Sequence, residues 1–512
     1  MPVRIAGLNS GMDTDAIVQD LVKAYSAKTD TYKKEQTRLQ WKQDAWKSLN
    51  TKIYSFHTKF LSDMRFSGAY SKKKTSVSDE TKASVVTSDT AVNGIQTLKV
   101  GSLARASYLT GGKLKKADVA DTTPITAKTT LSELGFSGST AITVNKGSAG
   151  SETYGTLNIS GDTTLESVAD QLTTMGLSAN FDAANGRFFV SAKNTGAAAD
   201  FSFNGSEGAL SMLGFQSVAV GTTPGDDSIG VKVSGSDAAI TLNGVNYTSS
   251  SNAFTVNGMT ISVKGLTEGD EEITLSTDTD YDAIYKNIKE FITEYNKLVN
   301  EMDSMYNAAS SKGYDPLTED EKSSMTDSEI EAWEKKIKDS ILRKDETIES
   351  VTSTMRMAML QTYTVNGKEM GLSMFGINTL GYFNAADNEK NAYHIDGDPE
   401  DSNTSDSKDK LKAAIATNPA SVQSFFTQMA NNMYDALSTK MKGTEYSSAF
   451  TVYDDKRMAT EYADYTKKIS DWEDKVADIE DRYYKQFAAM EKAMATLNSS
   501  SSALSSLLGS GS

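Results

Sequence analysis

The 512-residue sequence predicts an α+β multidomain protein in which helical ends enclose a strand-rich centre. Three observations carry that expectation. Apolar residues recur every seven positions near each end, the period drops to two through the middle, and the order of elements is symmetric about the centre. A chain that runs helix, strand, insert, strand, helix has a nested out-and-back topology, with each outer domain built from both ends.

At the N-terminal end Val18, Tyr25, Tyr32, Leu39, Trp46, Ile53 and Phe60 keep a spacing of seven, and Tyr462, Ile469, Val476, Tyr483, Met490 and Leu497 do so at the other end. That spacing returns a side chain to one face of a slightly underwound helix, so both stretches require a helical partner: each other, or copies of themselves. The candidate assembly seam is therefore Val18, Leu21, Tyr25, Tyr32, Leu39, Ile469, Trp472, Val476, Ile479, Tyr483, Met490 and Leu497. Residues 14 to 60 read as one helix capped by Asp13, Thr14 or Asp15 and about 70 Å long. Beside Tyr25, Tyr32 and Leu39 the companion positions three residues on are Lys28, Glu35 and Lys42, whereas after Trp46 they are Leu49 and Phe56. The first half thus buries half a stripe and the second a whole one, which sets a domain boundary near residue 45 and leaves the outer half marginal alone.

After a polar stretch, Ser67 to Lys82, strands are expected at Ala83 to Thr87 and Gly94 to Val100 around the turn signal Asn93-Gly94. Residues 124 to 221 read as an inserted α+β module. Leu157 and Ile159 make a strand, Thr163 and Glu166 a capping box for a helix over Leu165 to Met175, and Asn185-Gly186 the turn of a hairpin. Strands return from Gly230 to Thr277 with turns at Asn243-Gly244 and Asn257-Gly258. Ile284, Ile288, Phe291, Tyr295, Leu298, Met302 and Met305 form an amphipathic helical stripe, and helices follow near 326–342, 346–360 and 408–417. The last helix runs from about 455 to 498, ahead of a Ser-rich tail.

A formal charge of −16 argues against a nucleic-acid partner, since phosphate binding needs clustered basic surface. Lys72 to Lys74, the one basic run worth naming, reads as a solvated loop. With no cysteine and two distant histidines, His57 and His394, thiolate zinc sites, cysteine nucleophiles and a histidine cluster within one chain are excluded. No apolar run spans a bilayer and the N-terminus lacks the apolar core of a Sec signal, so neither membrane insertion nor a cleaved signal peptide is expected. No phosphate loop, dinucleotide fingerprint, H-E-x-x-H or G-x-S-x-G is present, so neither a cofactor nor catalysis is expected. Asp278, Asp280 and Asp282 begin like a calcium loop, but Ala283 and Lys289 replace the Gly and Glu it requires; Asp396, Asp398 and Glu400 fail at Asp401. Met355, Met357 and Met359 read as core filler.

Gly7-Leu-Asn-Ser-Gly-Met-Asp-Thr-Asp-Ala-Ile-Val-Gln-Asp-Leu-Val22 resembles the N-terminal signature of the flagellar filament-capping (FliD) family. Asp481-Arg-Tyr-Tyr-Lys-Gln-Phe-Ala-Ala-Met-Glu-Lys-Ala-Met-Ala-Thr-Leu-Asn498 is similar to its ending, and Leu380, Ile395-Asp396, Leu411-Lys-Ala-Ala-Ile415 and Asn418-Pro419 through Phe426 resemble its C-terminal half. Leu157-Asn-Ile-Ser-Gly-Asp-Thr-Thr-Leu-Glu-Ser-Val-Ala-Asp170 is similar to a motif shared by flagellins and hook-associated proteins. The resemblance implies a homo-oligomeric cap, a pentamer, at the filament tip, exported unfolded through the flagellar type III channel with help from an export chaperone. Its partners would be itself, flagellin and the hook-filament junction proteins, and its strand-rich domains would form a plate carried on helical legs. On that reading residues 1–45 and 462–512 are a terminal coiled-coil domain, disordered in the free subunit, and 46–78 with 278–461 a helical leg. Residues 79–123 with 222–277 are a β-rich head domain, and 124–221 a second, inserted one. The rival readings are another axial subunit and a surface adhesin that binds glycan or mucin through its central domains.

Overall fold

In the computed structural model residues 11–147, 152–381, 383–386 and 389–509 are described. The chain folds as α+β and divides into two compact units, one of residues 1–70 with 281–512 and one of residues 71–280.

The helical unit is organised by the N-terminal helix, Thr14–Ser55, whose Asp13 side chain accepts a hydrogen bond from the Ala16 N–H at 3.0 Å. The helix does not stop near residue 60 as expected. It widens into a π-helical segment, Phe56–Leu61, and resumes to Met64. Trp46, Leu49, Ile53, Phe56 and Leu61 from this half enter one core with Ile284, Ile288, Phe291 and Tyr295 of helix Tyr281–Tyr306. The capping box at Thr326 and Glu329 opens helix Asp327–Asp339, and Asp345 caps Glu346–Leu360, as the residues predict. Met355 and Met359 are buried there but Met357 is exposed, because residues two apart on a helix point to opposite sides. Val422, Phe425 and Phe426 lie in helix Pro419–Lys440, whose buried face fills the middle of this core and whose apolar residues alone had not announced it.

The last helix is longer than expected, Asp455–Gly509, so it takes in the Ser-rich tail. Ser499 and Ser500 donate their hydroxyls to the Ala495 and Thr496 carbonyls at 2.8 Å, which ties serine to a helix it would otherwise compete with.

In residues 71–280 a five-stranded sheet, in the order 73–77, 273–279, 94–102, 238–242 and 245–249, faces a three-stranded one of 253–256, 259–263 and 83–87. Ala83, Leu98, Val100, Ile240, Phe254, Ile261 and Leu275 fill the space between them. The turns at Asn243-Gly244 and Asn257-Gly258 form as read, with φ of 50° and 81° in the first and 50° and 72° in the second, the left-handed pair that a two-residue hairpin needs. Asn93-Gly94 does not make a hairpin. Ala83–Thr87 pairs with Met259–Val263 and Gly94–Ser102 with Ile273–Thr279 and Ala238–Leu242, so the two strands reach the common core from opposite sheets. The run Lys72 to Lys74, expected as solvated loop, leads into an edge strand, Lys73–Val77, that pairs with the 273–279 strand; its polar composition concealed it.

A second core lies around helix Leu165–Thr174, with sheet 152–160, 139–146, 201–204 and sheet 217–219, 230–233, 106–110, 187–195, 177–182. Two of those strands, 106–110 and 230–233, fall outside the 124–221 limits read for the insert, and Leu109 belongs to its core. The helix is capped by Thr164, whose hydroxyl accepts the Ser167 N–H at 3.2 Å. Thr163, the expected cap, instead accepts the Ser160 N–H in the preceding turn.

Candidate assembly seam

The two terminal helices pack on each other, antiparallel. Tyr25 shares a hydrogen bond with Tyr483, the Tyr32 and Tyr465 rings meet at 6.4 Å, and Trp46 stacks on Tyr453 at 5.3 Å and 10°. Between them Lys33 pairs with Glu473 at 2.7 Å, Gln36 Nε2 donates to Thr466 Oγ1 at 2.7 Å, and the Trp472 ring receives the ammonium groups of Lys28 (4.6 Å) and Lys475 (4.7 Å). At the inner end Asn50 donates to the Phe450 carbonyl and accepts from the Val452 N–H, which fastens the start of the returning segment. The hydrogen bond to Tyr25 raises the pKa of Tyr483 above the ordinary phenol value.

The seam residues differ in how far this contact covers them. Val18 and Ile469 are buried; Tyr32, Leu39, Trp472, Val476, Ile479, Tyr483 and Met490 are half-buried; Leu21, Tyr25 and Leu497 stay exposed, Leu497 at 68%. The companion row is one residue later than the sequence suggested. Val22 and Thr29 are buried and Gln36 and Gln43 half-buried, while Leu21, Lys28 and Glu35 point outward. From Trp46 the buried arc turns back by one residue to Leu49 and Phe56, because there the helix faces the leg core rather than one partner helix.

The companion row is therefore mostly polar: Thr29, Gln36, Gln43, Asn50. The Thr29 hydroxyl is buried without a hydrogen-bond partner among the described residues. The C-terminal helix presents an apolar row at alternating spacings of three and four, Tyr465, Ile469, Trp472, Val476, Ile479 and Tyr483, so the two faces are unequal. Residues Gly7 to Ser10 of the N-terminal signature lie outside the described residues.

Neither histidine is placed for metal chemistry. His57 stacks on Tyr434 at 4.0 Å and contacts Ser438 Oγ at 2.9 Å; His394 Nδ1 lies 2.5 Å from Asp401. Asp398 and Glu400 both receive the Lys289 ammonium, at 2.7 and 2.6 Å. Among the described residues no three His, Asp or Glu side chains converge as a metal site would require, and no helix is long and apolar enough to cross a membrane.

Residues 10–107 match the family described as Flagellar hook-associated protein 2 N-terminus and residues 235–499 its C-terminus. The flagellar hook-associated protein 2 of Halalkalibacterium halodurans is 24% identical over 97% of this chain and 98% of its own length. The A-type flagellar hook-associated protein 2 of Pseudomonas aeruginosa is 29% identical over 58% of this chain and 62% of the relative. Among solved structures, the D1-D2-D3 domains of the Escherichia coli flagellar cap protein FliD align with 78% of this chain and 97% of that one, at 19% identity and a TM-score of 0.47. The match over 235–499, more than half of the sequence, makes the assignment: the chain belongs to the flagellar hook-associated protein 2 family.

Proposed function

We propose that this chain caps the distal end of the flagellar filament, outside the cell, where it retains exported flagellin and promotes its insertion without covalent chemistry. The observation that carries the proposal is the family match, read together with a coil made from both chain ends whose apolar C-terminal face is half-covered. A subunit leaving the export channel is unfolded and dilute. A lid that holds it near the open lattice position raises its effective concentration, and insertion then outruns diffusion.

On this reading the working form is a homo-oligomer, a pentamer, seated on filament or hook-filament junction subunits. An export chaperone covers the terminal segments before secretion, and the chain travels unfolded, which its lack of cysteine suits. The seam from Val18 to Leu39 and from Ile469 to Leu497 is the assembly element. Its polar companion row supplies too little burial by itself to offset the ordering entropy of two long helices, so the outer coil exchanges with an open form in the free subunit and closes fully on the filament.

Deleting the gene tests this. The expected cells carry hooks with short or no filaments and release monomeric flagellin into the medium, and purified protein added from outside restores growth. Long, normal filaments in the deletion strain would contradict capping and favour a surface adhesin.

A further inference from the structure

Residues 34–42 of the N-terminal helix are gripped from two sides. At about 100° per residue, Gln36 and Leu39 share the face toward the C-terminal helix, while Lys34, Arg38 and Lys42, spaced by four, occupy the opposite one beside Trp41. Residues 307–345 cross that far side. Lys34 pairs with Glu321 at 2.9 Å, Arg38 with Asp315 at 2.5 Å and Lys42 with Asp345 at 3.0 Å, and the Lys338 ammonium sits 4.5 Å from the Trp41 ring.

We propose that residues 307–345 are an electrostatic strap that closes the terminal coil over residues 34–42, and that its release lets the outer coil open. This goes beyond the capping reading and does not rest on it.

Surface ion pairs are usually weak, because two flexible side chains must both be immobilised. Here two of the three carboxylates have a second local role. Glu321 closes the capping box of helix Glu319–Ser323 through the Thr318 N–H at 2.7 Å, and Asp345 accepts the Thr347 N–H as the cap of the next helix. The backbone of Asp315 is fixed by Trp333, whose indole N–H donates to the Asp315 carbonyl at 2.9 Å. The strap therefore presents anions that are largely pre-placed, and closing it immobilises mainly the three cations.

Residues 307–340 form a body of their own, while Ile341 and Leu342 pack in the leg core and Asp345 caps a leg helix. The strap leaves and rejoins the core at one neck, where the Lys344 N–H donates to the Tyr306 carbonyl and Arg343 Nε to the Ala308 carbonyl. Internally it is knitted by Tyr314 on Trp333 at 4.5 Å and by Ser340 to Ser311 at 2.6 Å. Its hold on the coil is mainly charge, and charge is screened. Raising ionic strength from about 0.01 M to about 1 M shortens the Debye length from about 30 Å to about 3 Å.

The test is hydrogen exchange on the full chain at those two salt levels, comparing the wild type with Lys34→Gln/Arg38→Gln/Lys42→Gln, which removes the charges while keeping good helix formers. A Lys47→Gln chain controls for charge loss alone. Three such pairs correspond to about a tenfold change in local opening. In the wild type, exchange over 14–45 and 455–490 should be about tenfold faster at high salt, with the helix at 281–306 unchanged. The triple variant should exchange fast at low salt and no longer respond to salt, and the control should behave as wild type. A wild-type coil insensitive to salt, or a triple variant indistinguishable from wild type, overturns the strap.

Discussion

Residues 14–45 and 46–64 belong to one continuous helical run with the same seven-residue repeat, and they differ in what the repeat meets. The inner part places Trp46, Leu49, Ile53 and Phe56 into a core shared with several other helices, so each apolar side chain is enclosed. Apart from Leu39 and Ala45, which pack at the edge of that core, the outer part meets a single helix and a charged strap, and beyond Val22 its companion row is Thr29, Gln36 and Gln43. The comparison teaches that helical periodicity specifies a partner without specifying stability. Stability follows the number of sides on which the apolar face is covered. A filament-tip subunit would use both conditions in one helix: a permanent inner end that holds the leg together, and an outer end that orders on contact with the filament.

The contrast breaks most visibly under truncation. Ile53→Ala should lower global stability by about 2 to 5 kcal/mol in urea unfolding, because the site lies in a close-packed core that collapses only partly. Val22→Ala, of similar chemistry, should leave the global transition in place and speed exchange only over the coil. Equal global losses at both positions would mean that the two halves form one cooperative unit.

A titration distinguishes the halves next. His57 lies in the inner half, stacked on Tyr434, whose ring also meets the Arg65 guanidinium at 3.6 Å. Burial pushes its pKa below the ordinary 6.5, the Tyr434 carbonyl partly offsets this, and Arg65 lowers it further. In the unfolded chain the group takes its proton at about 6.5, so between that value and the folded one protons favour unfolding. The stability of the leg should be full above pH 6.5, fall as pH drops through 6.5, and level off below the folded pKa. His57→Gln should remove that part of the slope in urea titrations between pH 7.5 and 5; an unchanged slope would mean that His57 titrates alike in the folded and unfolded chain.

A smaller effect of opposite sign is expected at Thr29. Its hydroxyl is buried without a partner among the described residues, so Thr29→Val should stabilise the coil by about 1 kcal/mol, read as slower exchange over 14–45. Faster exchange there would show that the hydroxyl is satisfied when the coil forms.

Much of this architecture was legible because it is local. Asn243-Gly244 and Asn257-Gly258 demand a left-handed pair that few other residues supply, and the stripe from Ile284 to Met302 is buried as its spacing requires. Asn93-Gly94 carries the same signal and forms no hairpin, because the destination of each flanking strand is set by residues some 140 to 180 positions away. The seam was half legible. The repeat of seven located the row that begins at Val18 but not its companion, since spacings of three and four are equally helical and only the partner's position chooses Val22 over Leu21. The strap was not legible at all: Lys34, Arg38 and Lys42 look like an ordinary solvated face until Asp315, Glu321 and Asp345 are brought to them from roughly three hundred residues away.

The central claim, that the terminal coil is where this protein assembles on the filament, is tested most directly by putting a charge into the coil and observing the tip. Val22→Asp with Ile479→Asp places two like charges in the coil and should disfavour its closure by about 3 kcal/mol. With the urea midpoint of the leg core shown to be unchanged, labelled full-length protein is added to filaments of a deletion strain and imaged. The account predicts that the wild type marks the distal ends and restores growth while the double variant is absent from them and flagellin remains in the medium. Tips occupied equally by the variant, with growth restored, would contradict it and assign the hold on the filament to the strand-rich domains.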